Sequence, residues 1–294
     1  MTMTTFHTPE PIELGVEIAA GSVQLIAGDR VETTVVVNPS DPTREADVEF
    51  ADKTQVGLAN GRLDVKTPKS RAIGGRVGIA RPGSVEVTIE LPQLSHVDIT
   101  TGAGEARADG RFGDVHVRSG AGAIHVDQAT RARLATGAGS LSLTRSHGDA
   151  EVAAGGDMRI ERVDGTAEIK NVNGETWIGE VRGRLRVRAA NGSIHVVRAH
   201  TDLAARTANG RIEIGEVISG SVTLATGSGP IEIGIGEGTS AWVDARTKFG
   251  RVDNSLEGTE GPPPGEHVEA RARTSFGDIS IHRSSIEKNH AGEK

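Results

Sequence analysis

The sequence predicts an all-β fold: a single-stranded parallel β-solenoid (β-helix) of about 18 residues per coil. Three observations predict it. A Gly-ended tetrapeptide recurs along most of the chain, apolar residues between its copies alternate with period 2, and aromatic residues make up only 2% of the chain.

The tetrapeptides are TGAG ending at Gly104, SGAG at Gly122, TGAG at Gly139, AAGG at Gly156 and NVNG at Gly174. AANG at Gly192, TANG at Gly210, TGSG at Gly229, TKFG at Gly250 and TSFG at Gly277 follow. Their intervals are 18, 17, 17, 18, 18, 18, 19, 21 and 27 residues, so seven of nine lie within one residue of 18.

Inside a unit the alternation marks strands. After Gly174 come Thr176, Ile178 and Val181, then Leu185, Val187 and Ala189. The next unit repeats them as Ile194, Val196, Ala199, Leu203 and Ala205, and the previous one as Met158, Ile160, Val163, Ala167 and Ile169. A second Gly follows the first by nine residues at Gly113, Gly148, Gly165, Gly183 and Gly238, and by ten at Gly220. Each coil therefore reads strand, Gly corner, strand, Gly corner, and the corners are expected to use the positive φ open to Gly.

Two Gly per unit would cost a helix about 1 kcal/mol each, and no helix is expected. An antiparallel sandwich competes, because Asn-Gly at 173–174, 191–192 and 209–210 is also a hairpin signal. Equal units with matching residues at matching positions favour stacking like on like, one unit per coil. Right-handed coiling is the default for parallel crossovers.

Composition fits a narrow lumen. The 294 residues are 36% hydrophobic, with no Tyr, five Phe and two Trp. Val, Ile, Leu and Ala must fill the interior that aromatics fill elsewhere. A net charge of -7 argues against bulk attraction to nucleic acid or anionic lipid. The absence of Cys excludes disulfides, Cys-based zinc sites and thiol catalysis. Met1–Glu13 carries neither a basic nor an apolar leader region, and no run reaches membrane-spanning length, so a soluble, cytoplasmic protein is expected.

Residues 1–11 are expected to be a flexible N-terminus, and 12–100 an N-terminal β cap with degenerate repeats. Residues 101–283 form the regular solenoid, with a loop insertion at 254–267 marked by three prolines, and 284–294 a disordered tail. Within the cap, Pro39–Arg44 and Pro68–Pro82 read as loops.

The march of TGAG-, TANG- and SFGDI-type motifs between short V-x-V strands resembles the bacterial "putative adhesin" β-strand-repeat family, a domain of unknown function, over roughly residues 12–283. The resemblance implies a bacterial β-solenoid without established activity, with an adhesin-like surface role. It offers no catalytic residues to carry over.

One constellation stands out as a macromolecule-binding candidate. Lys170, Arg188 and Arg206 occupy the same outward position in three successive units, and Arg184 and Arg186 lie beside them. Arg182 and Arg198 sit near neighbouring corners. Stacked at about 4.8 Å, such a ladder can hold a polyanion or an acidic partner. A solvated sheet face has the same pattern, and Glu168, Glu175 and Glu180 are close enough in sequence to neutralise part of it.

Other patterns carry less. His116, His125, His147, His195 and His200 fall at positions that do not converge as zinc ligands must. GGRVGIARPG (74–83) and TGAGEARADG (101–110) lack the helix that a phosphate loop opens. Asp109, Asp114, Asp127, Asp149, Asp157 and Asp164 lie near corners, where Asp commonly satisfies turn backbone.

No catalytic, cofactor or metal residues are therefore assigned. The expected function is a non-enzymatic scaffold or interaction protein with an unidentified protein or glycan partner and a capacity for self-association; no nucleic acid or membrane partner is expected. A carbohydrate-active β-helix enzyme and a polyanion binder acting through the basic ladder are the alternatives.

Overall fold

The structure is a computed structural model in which residues 2–68, 83–256 and 267–284 are described. The expected loops at 68–82 and 254–267 and the tail at 284–294 lie largely outside the described residues. The chain divides into two compact units, Met1–Asp157 and Met158–Lys294. Each is a parallel β-solenoid.

The first unit contains β1 (Thr2–His7), β2 (Glu13–Gly28), β3 (Glu32–Pro39), α1 (Glu45–Asp52), β4 (Gln55–Ala59) and β5 (Arg62–Lys66). It continues with β6 (Val85–Pro92), β7 (His96–Ala103), β8 (Ala106–Ala121), β9 (Ile124–Ala138), β10 (Leu141–Ser146) and β11 (Ala150–Ala154). β2, β8 and β9 are long enough to cross a corner and serve two rows. One row runs β5–β2–β7–β8–β9–β11, the other β6–β2–β8–β9–β10, all parallel.

β2, first in sequence, is thus not the outermost coil. It lies between the coil of β5 and β6 and the coil of β7 and β8. The outer coil is covered by antiparallel additions: β4 on β5, β3 on β6, and β1 on β3. Its inward residues Leu63, Val65, Val87 and Ile89 are fully buried. The N-terminal stretch expected to be flexible therefore holds β1, six residues paired with Glu32–Val37.

The helix α1 was not expected. Its anchor is Asp47, buried, which accepts the Ser84 N–H at 3.0 Å and the Asp41 N–H at 3.2 Å and binds Arg44 at 3.1 Å.

The second unit contains β12 (Met158–Val163), β13 (Ala167–Asn171), β14 (Thr176–Val181), β15 (Leu185–Ala189), β16 (Ile194–Ala199) and β17 (Leu203–Asn209). It ends with β18 (Ile212–Val217), β19 (Gly220–Ser228), β20 (Ile231–Ile235), β21 (Ser240–Phe249), β22 (Val252–Asn254), β23 (His267–Phe276) and β24 (Ile279–Arg283). The odd strands stack β13–β15–β17–β19–β23–β21. The even strands stack β12–β14–β16–β18–β20–β24–β22. All are parallel, which rules out the sandwich.

The predicted register holds residue by residue. Met158, Thr176, Ile194 and Ile212 stack, as do Ile169, Val187 and Ala205. All seven are buried in the lumen. Where the structure departs is at the last coil. β23 and β24 do not follow β21 and β22 outward; they insert between that coil and the coil of β19 and β20.

The repeated tetrapeptide closes each coil. Gly210 has φ +143°, and a Cβ there would lie 2.1 Å from the Gly192 carbonyl oxygen one coil away. At the second corners Gly220 and Gly238 have the expected positive φ, +93° and +77°, while others do not. Gly183 needs no positive φ, but its added Cβ would meet the Gly165 carbonyl at 2.4 Å. Close stacking, rather than a left-handed turn, requires glycine there.

Candidate functional site: two faces with opposite charge logic

The outward residues of the even strands in the second unit alternate in sign along the stack. Arg162, Glu180, Arg198 and Glu216 occupy one register column. Arg162 lies 3.4 Å from Glu180, and Arg198 donates to Glu216 at 2.5 Å. His200 and Glu180 share a 2.8 Å hydrogen bond, and Arg182 lies 3.5 Å from the same carboxylate. Burial pushes the Glu180 carboxyl up, but the charge of Arg162 with His200 and Arg182 outweighs it and leaves the group below its ordinary value.

A second column on this face is also closed. The Arg159 guanidinium sits 4.0 Å from the centre of the Trp177 ring, which stacks on His195 at 6.5 Å. His195 is 3.4 Å from Glu213, which Arg211 binds at 3.0 Å. Arg182 and Arg198, read from sequence as neighbours of the basic ladder, belong to this paired face. Glu180 faces the same way and neutralises nothing on the ladder.

The odd strands carry the opposite arrangement. Lys170, Arg188 and Arg206 stand in one column, as the repeat predicted. After Ala225 the column continues with Arg273 and Arg246. Five of its six positions are cationic. The neighbouring column runs Glu168, Arg186, Ala204, Thr223, Arg271 and Asp244. Lys170, Arg186, Arg188 and Arg206 are all exposed, and no ion pair or hydrogen bond ties their side chains to another described residue. Arg184 lies two residues before Arg186 and reaches Asp202 at 3.4 Å. At the column's far end Arg273 donates to Asp244 at 2.5 Å.

Like charges directly opposed on a sheet destabilise it, while opposite charges contribute roughly 0.2–1 kcal/mol per pair. One face of the unit follows that rule and the other breaks it three coils in succession. The extension through Arg246, Arg271 and Arg273 was hidden in the sequence because the order of the last two coils is exchanged. Reading outward positions of 240–249 and 267–276 against 203–209 would have found it.

Beside the ladder the Asn-Gly corners form a second file. Asn209 donates to Asn191 at 3.0 Å and Asn191 to Asn173 at 3.2 Å. These are stacked side-chain amides, not hairpin turns.

Three of the acids near corners are held by arginines. Asp109, Asp114 and Asp164 accept from Arg107, Arg131 and Arg162, each at 2.9 Å. Asp202 accepts the Ser221 N–H at 3.0 Å, and Asp278 the Arg251 N–H at 2.8 Å. The hydrogen bond from Arg131 holds Asp114 below the usual carboxylate range, and one from Arg273 does the same for Asp244. Downward displacement by an arginine is the mark of a structural ion pair; a general acid needs the opposite shift. Residues 101–110 form strand in β7 and β8, not a phosphate loop, while 74–82 lie outside the described residues. Among the described residues no three His, Asp or Glu side chains converge as a metal site would require, and no helix is long and apolar enough to cross a membrane.

Fold and site together define a repeat-built β-solenoid whose distinguishing surface is a column of cations, unpaired at Lys170, Arg188 and Arg206. The chain belongs to the Toastrack DUF4097 family, whose model matches residues 12–290. This bears out the family resemblance read from the motifs. No curated protein matches. Similar solved structures include a "putative cell adhesion protein" from Clostridium sporogenes, 12% identical, covering 96% of this chain and 99% of that one with a TM-score of 0.20. Others are a "putative lipid binding protein" from Parabacteroides distasonis (10% identical, 95% and 96% covered, TM-score 0.45) and a "putative adhesin" from Bacteroides fragilis (10% identical, 95% and 96% covered, TM-score 0.38).

Proposed function

We propose that this chain is a non-catalytic interaction protein that holds an extended polyanion along the exposed face of β13, β15 and β17. An adhesin-like role is the form of this reading that the family resemblance implies. The single observation that carries it is the contrast between the faces: an ion-paired column on the even strands against the unpaired Lys170, Arg188 and Arg206 on the odd ones. Folding alone gains nothing from stacking three cations at about 4.8 Å. An anionic chain laid across them relieves the repulsion and adds charge-assisted hydrogen bonds. Arg186, and Arg184 beyond it, widen the surface on the side where β15 begins. An extended, single-stranded acidic polysaccharide fits one narrow column better than a duplex or a bilayer, which call for a broad cationic surface that a chain of net charge -7 does not offer.

The test is titration of the full chain with heparin as a model acidic polysaccharide, with duplex DNA and anionic phospholipid vesicles in parallel. Heparin binding that weakens steeply with salt is expected. The triple variant Lys170→Glu, Arg188→Glu, Arg206→Glu should lose it, while Arg159→Glu on the paired face should retain it. Heparin binding unchanged in the triple variant, or preferential binding of DNA or vesicles, refutes the reading. Glycan turnover abolished by Asp-to-Asn changes would instead establish an enzyme.

A further inference from the structure

Among the described residues no strand covers the outer coil of the second unit, β21 with β22, whereas antiparallel strands cover the corresponding coil of the first unit. β21 pairs on one edge with β23, and no strand among the described residues pairs with the other. Its inward residues are in register with buried ones but are not themselves buried. Val243 and Ala245 are half-buried opposite the buried Ala270 and Ala272, and Val252 is 47% exposed opposite the buried Ile279. Trp242 and Phe249 are 55% and 65% exposed, and Phe249 stacks on Phe276 with ring centres 5.0 Å apart. A ten-residue edge of this composition is what folded proteins ordinarily block with a charge, a proline or a covering loop.

We propose that this edge pairs with the same edge of a second copy, antiparallel and centred on Ala245, to give a closed two-fold dimer. The sequence of β21 is complementary to itself about that centre. Antiparallel pairing places Asp244 opposite Arg246 of the second copy, and Arg246 opposite its Asp244. It sets Trp242 against Lys248, a ring facing an ammonium. On the inward side it sets Val243 against Thr247 and Ala245 against Ala245, and it brings Phe249 onto Ala241. Every outward pair is attractive and every inward pair is small or apolar, the combination that stabilises cross-strand neighbours.

A parallel, in-register contact does the reverse. It would lay Arg246 on Arg246 and Lys248 on Lys248, extending the like-charge column by another coil. Head-to-tail growth would have to add β21 to the antiparallel strands β1, β3 and β4 that the outer coil of the first unit carries, not to a matching parallel coil. The contact therefore closes as an isologous pair instead of propagating. It uses residues apart from Lys170, Arg188 and Arg206 and does not rest on the polyanion reading.

The experiment is sedimentation equilibrium of the full chain, combined with single-cysteine cross-linking, for which a chain without Cys needs no background removal. A reversible dimer is expected. Ala245→Cys should oxidise to a covalent dimer, since directly opposed residues bring Cα atoms within disulfide range. Lys248→Cys should not, because the two copies of residue 248 lie roughly 20 Å apart in that register. Asp244→Arg should weaken dimerisation at least about tenfold by facing cation with cation. Since Asp244 also holds Arg273 in its own chain, the cysteine pair decides independently of any folding defect. A monomer at all concentrations, an open-ended series of oligomers, or Lys248→Cys cross-linking as readily as Ala245→Cys would each overturn the proposal.

Discussion

The Thr226 hydroxyl donates to the Gly210 carbonyl, 3.0 Å away in the neighbouring coil. The same bond recurs wherever the tetrapeptide begins with Thr in the second unit: Thr207 to Gly192 at 3.3 Å, Thr274 to Gly229 at 3.0 Å and Thr247 to Gly277 at 2.9 Å. In the first unit Thr136 binds Gly122 at 2.8 Å. At these five Thr-led copies the motif is a two-part clasp: its last residue must be Gly because the stacked carbonyl occupies the space of a Cβ, and its first residue satisfies that carbonyl. The Thr101 and Ser119 hydroxyls of the first two copies, by contrast, are buried without a partner among the described residues.

Removing either part should be felt, and unequally. Thr226→Val keeps the shape and leaves the Gly210 carbonyl short of a partner, so a loss of about 1–2 kcal/mol is expected. Gly210→Ala combines the 2.1 Å clash with a φ of +143° and should cost more, above about 2 kcal/mol. Gly57→Ala is the control, since an added Cβ there meets nothing within 4 Å. Urea unfolding of the three variants checks the order. Equal midpoints for Gly210→Ala and Gly57→Ala would remove the stacking argument.

Acid sensitivity should trace to Glu180. Its carboxyl is held below its ordinary value, chiefly by Arg162, against the upward push of burial. Between the folded and unfolded values the unfolded chain binds more protons, so stability rises with pH across that window. The contribution is complete above about pH 4.5 and is lost as pH falls through the lower folded value. Glu180→Gln should flatten that part of the pH–stability curve and free His200 and Arg182 of their shared partner. Thermal melts from pH 3 to pH 7 read the difference; identical curves would mean the column contributes nothing.

The sequence made the lumen legible because its period is a backbone property. Thr176, Ile178 and Val181 find Ile194, Val196 and Ala199 with no register error, since a one-residue slip would turn every apolar side chain outward. The basic ladder was legible for the same reason. The exchanged coils were not. Units of equal length and like pattern stack equally well in either order, so nothing local says that Val268 pairs with Gly220 rather than lying beyond Ala241. The helix α1 was hidden because it rests on bonds from Asp47 to Asp41 and to the distant Ser84, not on an apolar stripe. β1 was hidden because its partner, β3, lies 25 to 35 residues away and only tertiary pairing orders it.

The register admits a direct trial on two adjacent residues. Val187 is wholly buried between Ile169 and Ala205, and Arg188 stands exposed between Lys170 and Arg206. Val187→Asp places a carboxylate among stacked aliphatic side chains without a hydrogen-bond partner, and a loss above about 4 kcal/mol is expected. Arg188→Asp puts the same carboxylate one residue along the strand. There it faces water and two cations, and it converts a repulsive column into an alternating one like that on the even strands, so stability should hold or rise by up to about 1 kcal/mol. Chemical unfolding of the pair separates burial from any general effect of the substitution. A cooperative, unshifted transition for Val187→Asp, or a collapse for Arg188→Asp, would contradict the inward and outward assignment on which both the lumen and the cation column depend.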